Sequence, residues 1–546
     1  MSLDTEGCLE LQRAMQRELT RSMRGLRLPS HPRPFFLSYL VHHRSHTRVW
    51  GRYGSVFHSS QDRDTDLYVE CRVGSYRLDQ SLDGGIATDW SGRDSYSWVA
   101  GPEEPSPDAV RYALWKLSQH KYEEALQDYY EKKKVLVEQT LQGGARSFSH
   151  EPRFVLTEDV APVRFPKKRW ADFVRETSSI FRRHRRLLDP YVEVRGEDRI
   201  RVYVNSEGSK FVSQDAYFEV TARALVLSKD GIYLSAEQRF HGRSPRELPT
   251  RAQIEAAIER LAEDLDELAR SEPLAPYAGP ALLSGYASGL LFHEAIGHRL
   301  EGERMIARSE GKTFATRIGT QILPEGIDIW DDPTIASAHG KSLFGHYRVD
   351  DEGVRAERVQ LVENGVLRNF LMSRSSVPGF PQSNGHGRHG SYEDPMARMA
   401  NLVIEARDGW SSEALEEQLA KLVRDRGLDH GLIIEGVSDG ETRTDRYDFQ
   451  AFKGVPTEVF VFDPTTRRKR RVRDVSFIGT PLAAAQGIVA LGRDAAVDNS
   501  YCWAESGGIP VSTIAPSMVV QELELQRSTT KRFRPPLLSL PPMRGD

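Results

Sequence analysis

The chain has 546 residues, 39% hydrophobic and 28% charged, with a formal net charge of −4. That length suffices for two or more domains with sizeable cores, and the composition is that of a soluble globular protein, not a disordered one. The near-balanced charge predicts no nucleic-acid or anionic-membrane partner, and no run of about 18 apolar residues is present to form a transmembrane helix.

The stretch from Met1 to Glu6 has neither a basic n-region nor an apolar h-region, so it reads as no signal peptide, and the cytoplasm is the expected location. Residues Thr5 to Leu26 set Leu11, Met15, Leu19 and Met23 at helical spacing, before Pro29, Pro32 and Pro34 break the pattern. Phe35 to Val41 reads as a strand, and Arg48 to Tyr76 as further strands in which Cys71 belongs to the core. Pro105 to Gln142 and Lys167 to Leu188 are rich in helix formers; the second carries the basic run Arg182-Arg183-His184-Arg185-Arg186, which suits a solvated face better than a phosphate site. Tyr191 to Phe240 reads as an antiparallel meander. Pro249 to Ala269 follows as a helix with an apolar stripe of Ile254, Ile258, Leu261, Leu265 and Leu268.

Pro273 and Pro276 punctuate the chain there, so the expected domains are 1–272, mixed sheet with helices, and 273–546, β-rich. The expected fold class is α+β. The second half opens with a short strand at Ala281-Leu282-Leu283, and Ser284 is a fitting N-cap for a helix from Tyr286. Val359 to Val362 and Val366 to Met372 flank Asn364-Gly365, a hairpin signal. Ser411 to Asp425 is a further helix, and the proline-containing tail from Lys531 reads as an extended or disordered end.

The chemistry concentrates at His293-Glu294-Ala295-Ile296-Gly297-His298. Two neutral imidazoles can hold a metal ion, and a neighbouring carboxylate can take a proton from water. Histidines four apart share one helix face, but five apart they sit about 140° around a regular α-helix. A single inserted residue forming a π-turn would return both rings to one face, and Gly297 would tolerate such a distortion. The alternative is an amphipathic helix with two unrelated histidines and a solvated glutamate. A catalytic zinc takes three protein ligands, and no third His or Glu follows at the metzincin spacing in Arg299-Leu300-Glu301-Gly302-Glu303, so the third is expected from elsewhere. The three cysteines, Cys8, Cys71 and Cys502, lie too far apart to suggest a disulfide framework, so at least one is free and each is a candidate soft ligand.

Several blocks together resemble the TldD/PmbA metallopeptidases: Gly279 to Ser284 leading into Leu291 to Glu303, Asp350-Asp351-Glu352-Gly353, Leu361 to Leu367, Asn384 to Arg388, and Pro395 to Asn401. The resemblance covers most of residues 279–410 and implies a zinc peptidase with one Zn2+ per chain. It implies His293, His298 and Cys502 as metal ligands, with Glu294 as general base. It also implies a dimer, either of two copies or with a sister subunit, and an extended, unfolded peptide as substrate. Edge groups of the Val359 to Met372 hairpin are candidate partners for that peptide. His386, Arg388, His389 and Arg398 are candidate substrate-binding residues, with plain surface hydrogen bonding as the alternative. Tyr447-Asp448-Phe449 follows the family pattern only loosely, and Arg467 to Arg471 looks like an ornament on a hairpin. Two other functions stay open: a non-catalytic peptide-binding subunit of the same fold, and a nucleic-acid-associated protein using the Arg182 and Arg467 runs.

Overall fold

The computed structural model describes residues 3–81, 99–138, 146–307, 312–391, 393–442, 452–477, 481–528, 532–533 and 538. Tyr447-Asp448-Phe449 and most of the tail from Lys531 lie outside them. The fold is α+β.

The first sheet is built from long antiparallel strands. Pro34–Arg52 and Ser55–Val73 form one continuous hairpin, where the sequence suggests several shorter strands. The reason is the turn between them: Tyr53 (φ 46°) and Gly54 (φ 79°) both take positive φ, the two-residue turn that matches strand twist. A tyrosine there gives no turn signal. Leu188–Asn205, Lys210–Leu227 and Tyr233–Gly242 extend the sheet, the last pairing only with its predecessor.

Alternation along these strands divides the labour of the two faces. Leu37, Tyr39 and Val41, with Val192, Val194, Ile200 and Val202, pack beneath helices Thr5–Gly25, Pro107–Glu138, Lys167–Ser178 and Arg251–Arg270. The last helix starts in a capping box between Thr250 and Gln253. Ile254, Ile258, Leu261 and Leu265 of its stripe are fully buried, worth roughly 1.5–3 kcal/mol each. The helix predicted to run to Leu188 instead ends at Ser178, followed by a short 3-10 turn and then strand.

The opposite face carries Arg199, Arg201, Tyr203 and Tyr217 and meets the second half of the chain. Arg201 forms a buried ion pair with Asp351 (2.7 Å), and the Tyr203 hydroxyl donates to the Glu352 carbonyl (2.8 Å). Residues 272–527 form two larger sheets. One is ordered Val366–Leu367, Val359–Glu363, Ile327–Asp331, Asn401–Ala406, Gly507–Ala515, Ala496–Ala504. The other centres on Met518–Arg527, Tyr277–Leu283, Gly431–Thr442 and Phe452–Phe462. Asn364 and Gly365 do form the predicted turn, both at positive φ.

A helix, Gly285–Phe292, runs from the end of Tyr277–Leu283 into the core shared by these two sheets. Ser284 caps it, its Oγ accepting from the Ala287 N–H at 3.3 Å. Among the described residues no helix is long and apolar enough to cross a membrane.

Candidate metal centre

Helix Gly285–Phe292 continues as a π-turn over His293–Gly297 and then a 3-10 turn over His298–Leu300. The extra residue of the π-turn is what lets His293 and His298, five apart, face one point. Gly297 serves this turn differently from expectation. Its φ of −52° and ψ of −58° are ordinary helical values. It is small because a Cβ would fall 2.1 Å from Met399 Sδ.

Cys502 reaches the same point from the strand Ala496–Ala504, the last strand of its sheet. Its Sγ lies 3.3 Å from His293 Nε2 and 3.4 Å from His298 Nε2, and the three ligand atoms lie within 4.8 Å of one another. Zn–N bonds of about 2.0–2.1 Å and a Zn–S bond of about 2.3 Å, arranged tetrahedrally, put N and S roughly 3.5 Å apart. The donor set therefore fits a small tetrahedral cation in both spacing and chemistry. Cys8 and Cys71 are also free and buried, but remote: both belong to the core of the first sheet.

The surroundings prepare these atoms to bind a cation. Burial works against a thiolate, yet His298, Arg398 and His293 hold the Cys502 thiol well below its usual range. Arg398 donates through one nitrogen to both the Cys502 carbonyl (2.9 Å) and Sγ (3.2 Å). His298 Nδ1 faces both oxygens of Glu301 at 3.2 Å, which sets Nε2 toward the sulfur. Glu301 is fully buried; burial pushes its carboxyl up, but His298, Arg304 and Arg398 outweigh that and hold it at about 2. His293 Nδ1 lies 3.5 Å from Thr513 Oγ1. Glu294, on the same turn, has one carboxylate oxygen 4.0 Å from His298 Nε2, and burial raises its pKa.

Glu294 and the three ligand residues border a cleft of about 1870 Å³ between the two halves of the chain. One wall is the strand Tyr233–Gly242 with Glu193 and Glu219; the other includes Tyr286, Leu290 and residues 497–505. Both walls thus offer an edge strand. The hairpin Val359 to Met372, expected to supply such an edge, contributes nothing to this cleft, because it sits at the far end of the sheet whose other end is Ala496–Ala504.

The four residues singled out as substrate contacts are buried, and none borders the cleft. His386 Nε2 lies 3.2 Å from Asp331, and Arg388 donates to the carbonyls of Met399 (2.6 Å) and Pro510 (2.8 Å). The His389 ring packs between those of His42 and Tyr68 on the first sheet. Arg398 holds the cysteine strand and the following turn through Ser506 and Gly507. Glu301 was legible only in part: a carboxylate three residues after a histidine shares its helix face. The basic runs are taken up by acidic helix faces. Arg183 pairs with Glu255 (3.2 Å) and Glu259 (3.4 Å), Lys469 with Glu416 (2.9 Å), and Arg467 with Glu417.

Residues 277–527 match the PmbA/TldA metallopeptidase C-terminal domain. Over this stretch the chain is therefore similar to the PmbA/TldD metallopeptidases. It is 31% identical over 251 residues to a metalloprotease of Archaeoglobus fulgidus, covering 45% of this chain and 53% of that protein. It is 27% identical over 256 residues to a zinc metalloprotease TldD homolog of Saccharolobus solfataricus, covering 46% and 52%. The match thus spans about half the length of each of these relatives. Beyond that domain the likeness is one of fold: TldE from Thermococcus kodakarensis superposes with a TM-score of 0.62 at 13% identity, covering 94% of this chain and 100% of that one.

Proposed function

We propose that this chain is a zinc-dependent peptidase that hydrolyses extended, unfolded peptides, with one zinc held by His293, His298 and Cys502. The observation that carries the reading is the convergence of two imidazole nitrogens and one thiolate sulfur at tetrahedral spacing, beside a buried carboxylate, on the wall of a cleft. Zinc at such a site acts as a Lewis acid that polarises a carbonyl and acidifies water.

Glu294 takes the proton from the attacking water at a carboxylate oxygen and passes it to the nitrogen of the departing amine. Water oxygen bonds to the carbonyl carbon as the C–N bond breaks, and a carboxylate and an amine leave. The raised pKa of Glu294 suits both acceptance and return of a proton. Glu301 and Arg398 are positioning residues: the first orients His298, and the second holds the Cys502 sulfur and its strand. The substrate lies along the free edge of Ala496–Ala504, since an extended backbone can continue a sheet there and a folded domain could not enter the cleft as a strand.

The test separates holding metal from cutting. Glu294→Gln keeps all three ligands and should bind zinc as the wild type does while losing hydrolysis of an unstructured peptide, by at least about 100-fold. Full activity in this variant would remove Glu294 from the chemistry.

A further inference from the structure

We propose that Trp503 is a specificity-determining residue, an aromatic platform that selects a bulky apolar side chain in the substrate residue next to the bond that is cut. The proposal rests on the peptidase reading above. Trp503 follows the ligand Cys502 directly, and the two alternate across the strand: Cys502 is buried at the ligand cluster, whereas Trp503 is 77% exposed. Few large apolar side chains of the described residues are so open, and this one lines the cleft beside Cys502.

The ring is also held in place. Trp503 pairs across the hairpin with Gly508, where a Cβ would lie 2.8 Å from three atoms of the indole, Cε2, Cζ2 and Cη2. The indole therefore lies on the glycine backbone, leaving ring surface free for the cleft. A cross-strand aromatic–glycine pair can serve packing alone. Packing alone gives no reason to leave so much of the ring uncovered beside a ligand of the metal.

The character of the platform follows from its neighbours. Glu505, in the turn that follows the strand, is engaged by Arg304 through two contacts of 2.9 and 3.1 Å. Its charge is thus already balanced by an arginine and is not free to attract a cationic substrate side chain. Leu290 and Val455 add apolar surface to the same cleft. An extended peptide continuing the sheet advances one residue per strand residue. The substrate residue opposite Trp503 is thus next to the one opposite Cys502, and so next to the reacting carbonyl.

The experiment uses the full zinc-loaded chain and a set of unstructured peptides that differ only at the two positions flanking the cleaved bond. Phe or Leu at one of these positions should raise kcat/KM by roughly 10-fold or more over Ser. Trp503→Ala should bring that ratio close to one with zinc content intact, and Trp503→Phe should restore most of it. Binding of the same peptides to Glu294→Gln, with and without Trp503→Ala, gives a second readout that needs no turnover. A wild type that cuts none of the peptides yet binds Phe over Ser through Trp503 would overturn the peptidase reading and keep the platform. Equal kcat/KM for Phe and Ser in the wild type, or a ratio unchanged by Trp503→Ala, would overturn the platform.

Discussion

Glu303→Gln should make the protein more stable at pH 8 and change it little near pH 5. Glu303 is fully buried two residues beyond Glu301, accepting from the Ala397 N–H at 3.0 Å and from the Ser373 hydroxyl. Burial pushes its carboxyl up to about 7. Between about 4.5 and 7 the folded chain keeps a proton there that the unfolded chain has lost, so the native state binds more protons and stability falls as pH rises through this window. At 1.36 kcal/mol per pH unit, the interval amounts to about 3 kcal/mol, lost by pH 7 and constant above it. Glutamine can accept from Ala397 and donate to Ser373 without ionising. Thermal unfolding of both zinc-loaded proteins at pH 5 and pH 8 measures the difference. For a unit of about 250 residues, about 3 kcal/mol corresponds to a midpoint roughly 6 °C higher in the variant at pH 8. Equal midpoints at pH 8, or a variant with the wild-type loss of stability between the two pH values, would refute the reasoning.

Other substitutions probe the frame of the site. Arg398→Lys should weaken zinc binding about 10–100-fold in a competition titration, because a single ammonium cannot reach the Cys502 sulfur, the Cys502 carbonyl and Ser506 together. Gly297→Ala should destabilise by about 1–2 kcal/mol in denaturant titration despite better helix propensity, because its Cβ meets Met399; shortening Met399 to Val in the same chain should return part of the loss. Asp351→Ala removes the short partner of the buried Arg201 guanidinium at the contact between the two halves, leaving it the longer 3.6 Å contact to Asp215, and should cost about 1–3 kcal/mol by the same assay.

Much of the frame was legible because it is local. The stripe from Ile254 to Leu268, the cap at Ser284 and the turn at Asn364-Gly365 each depend on residues within one or two turns of chain. The five-residue spacing of His293 and His298 likewise required a π-turn, and one is there. What escaped was long-range. Cys502 meets His293 across 209 positions, and no periodicity reports such a contact; the family resemblance pointed to it. His386, Arg388, His389 and Arg398 illustrate the same limit. Their polar side chains in a glycine-rich stretch suggest a surface loop, but each finds a carboxylate, a carbonyl, a sulfur or an aromatic ring inside the protein. The long first hairpin was hidden by an unusual turn residue, Tyr53, and by the polar face its strands turn toward the second half.

The most direct test of the account is metal content per chain, measured by elemental analysis on the wild type and on Cys502→Ala after identical dialysis. About one zinc in the wild type and a large loss in the variant is the predicted result. A wild type without zinc, or a variant that retains it in full, would contradict the assignment of His293, His298 and Cys502 as a metal centre.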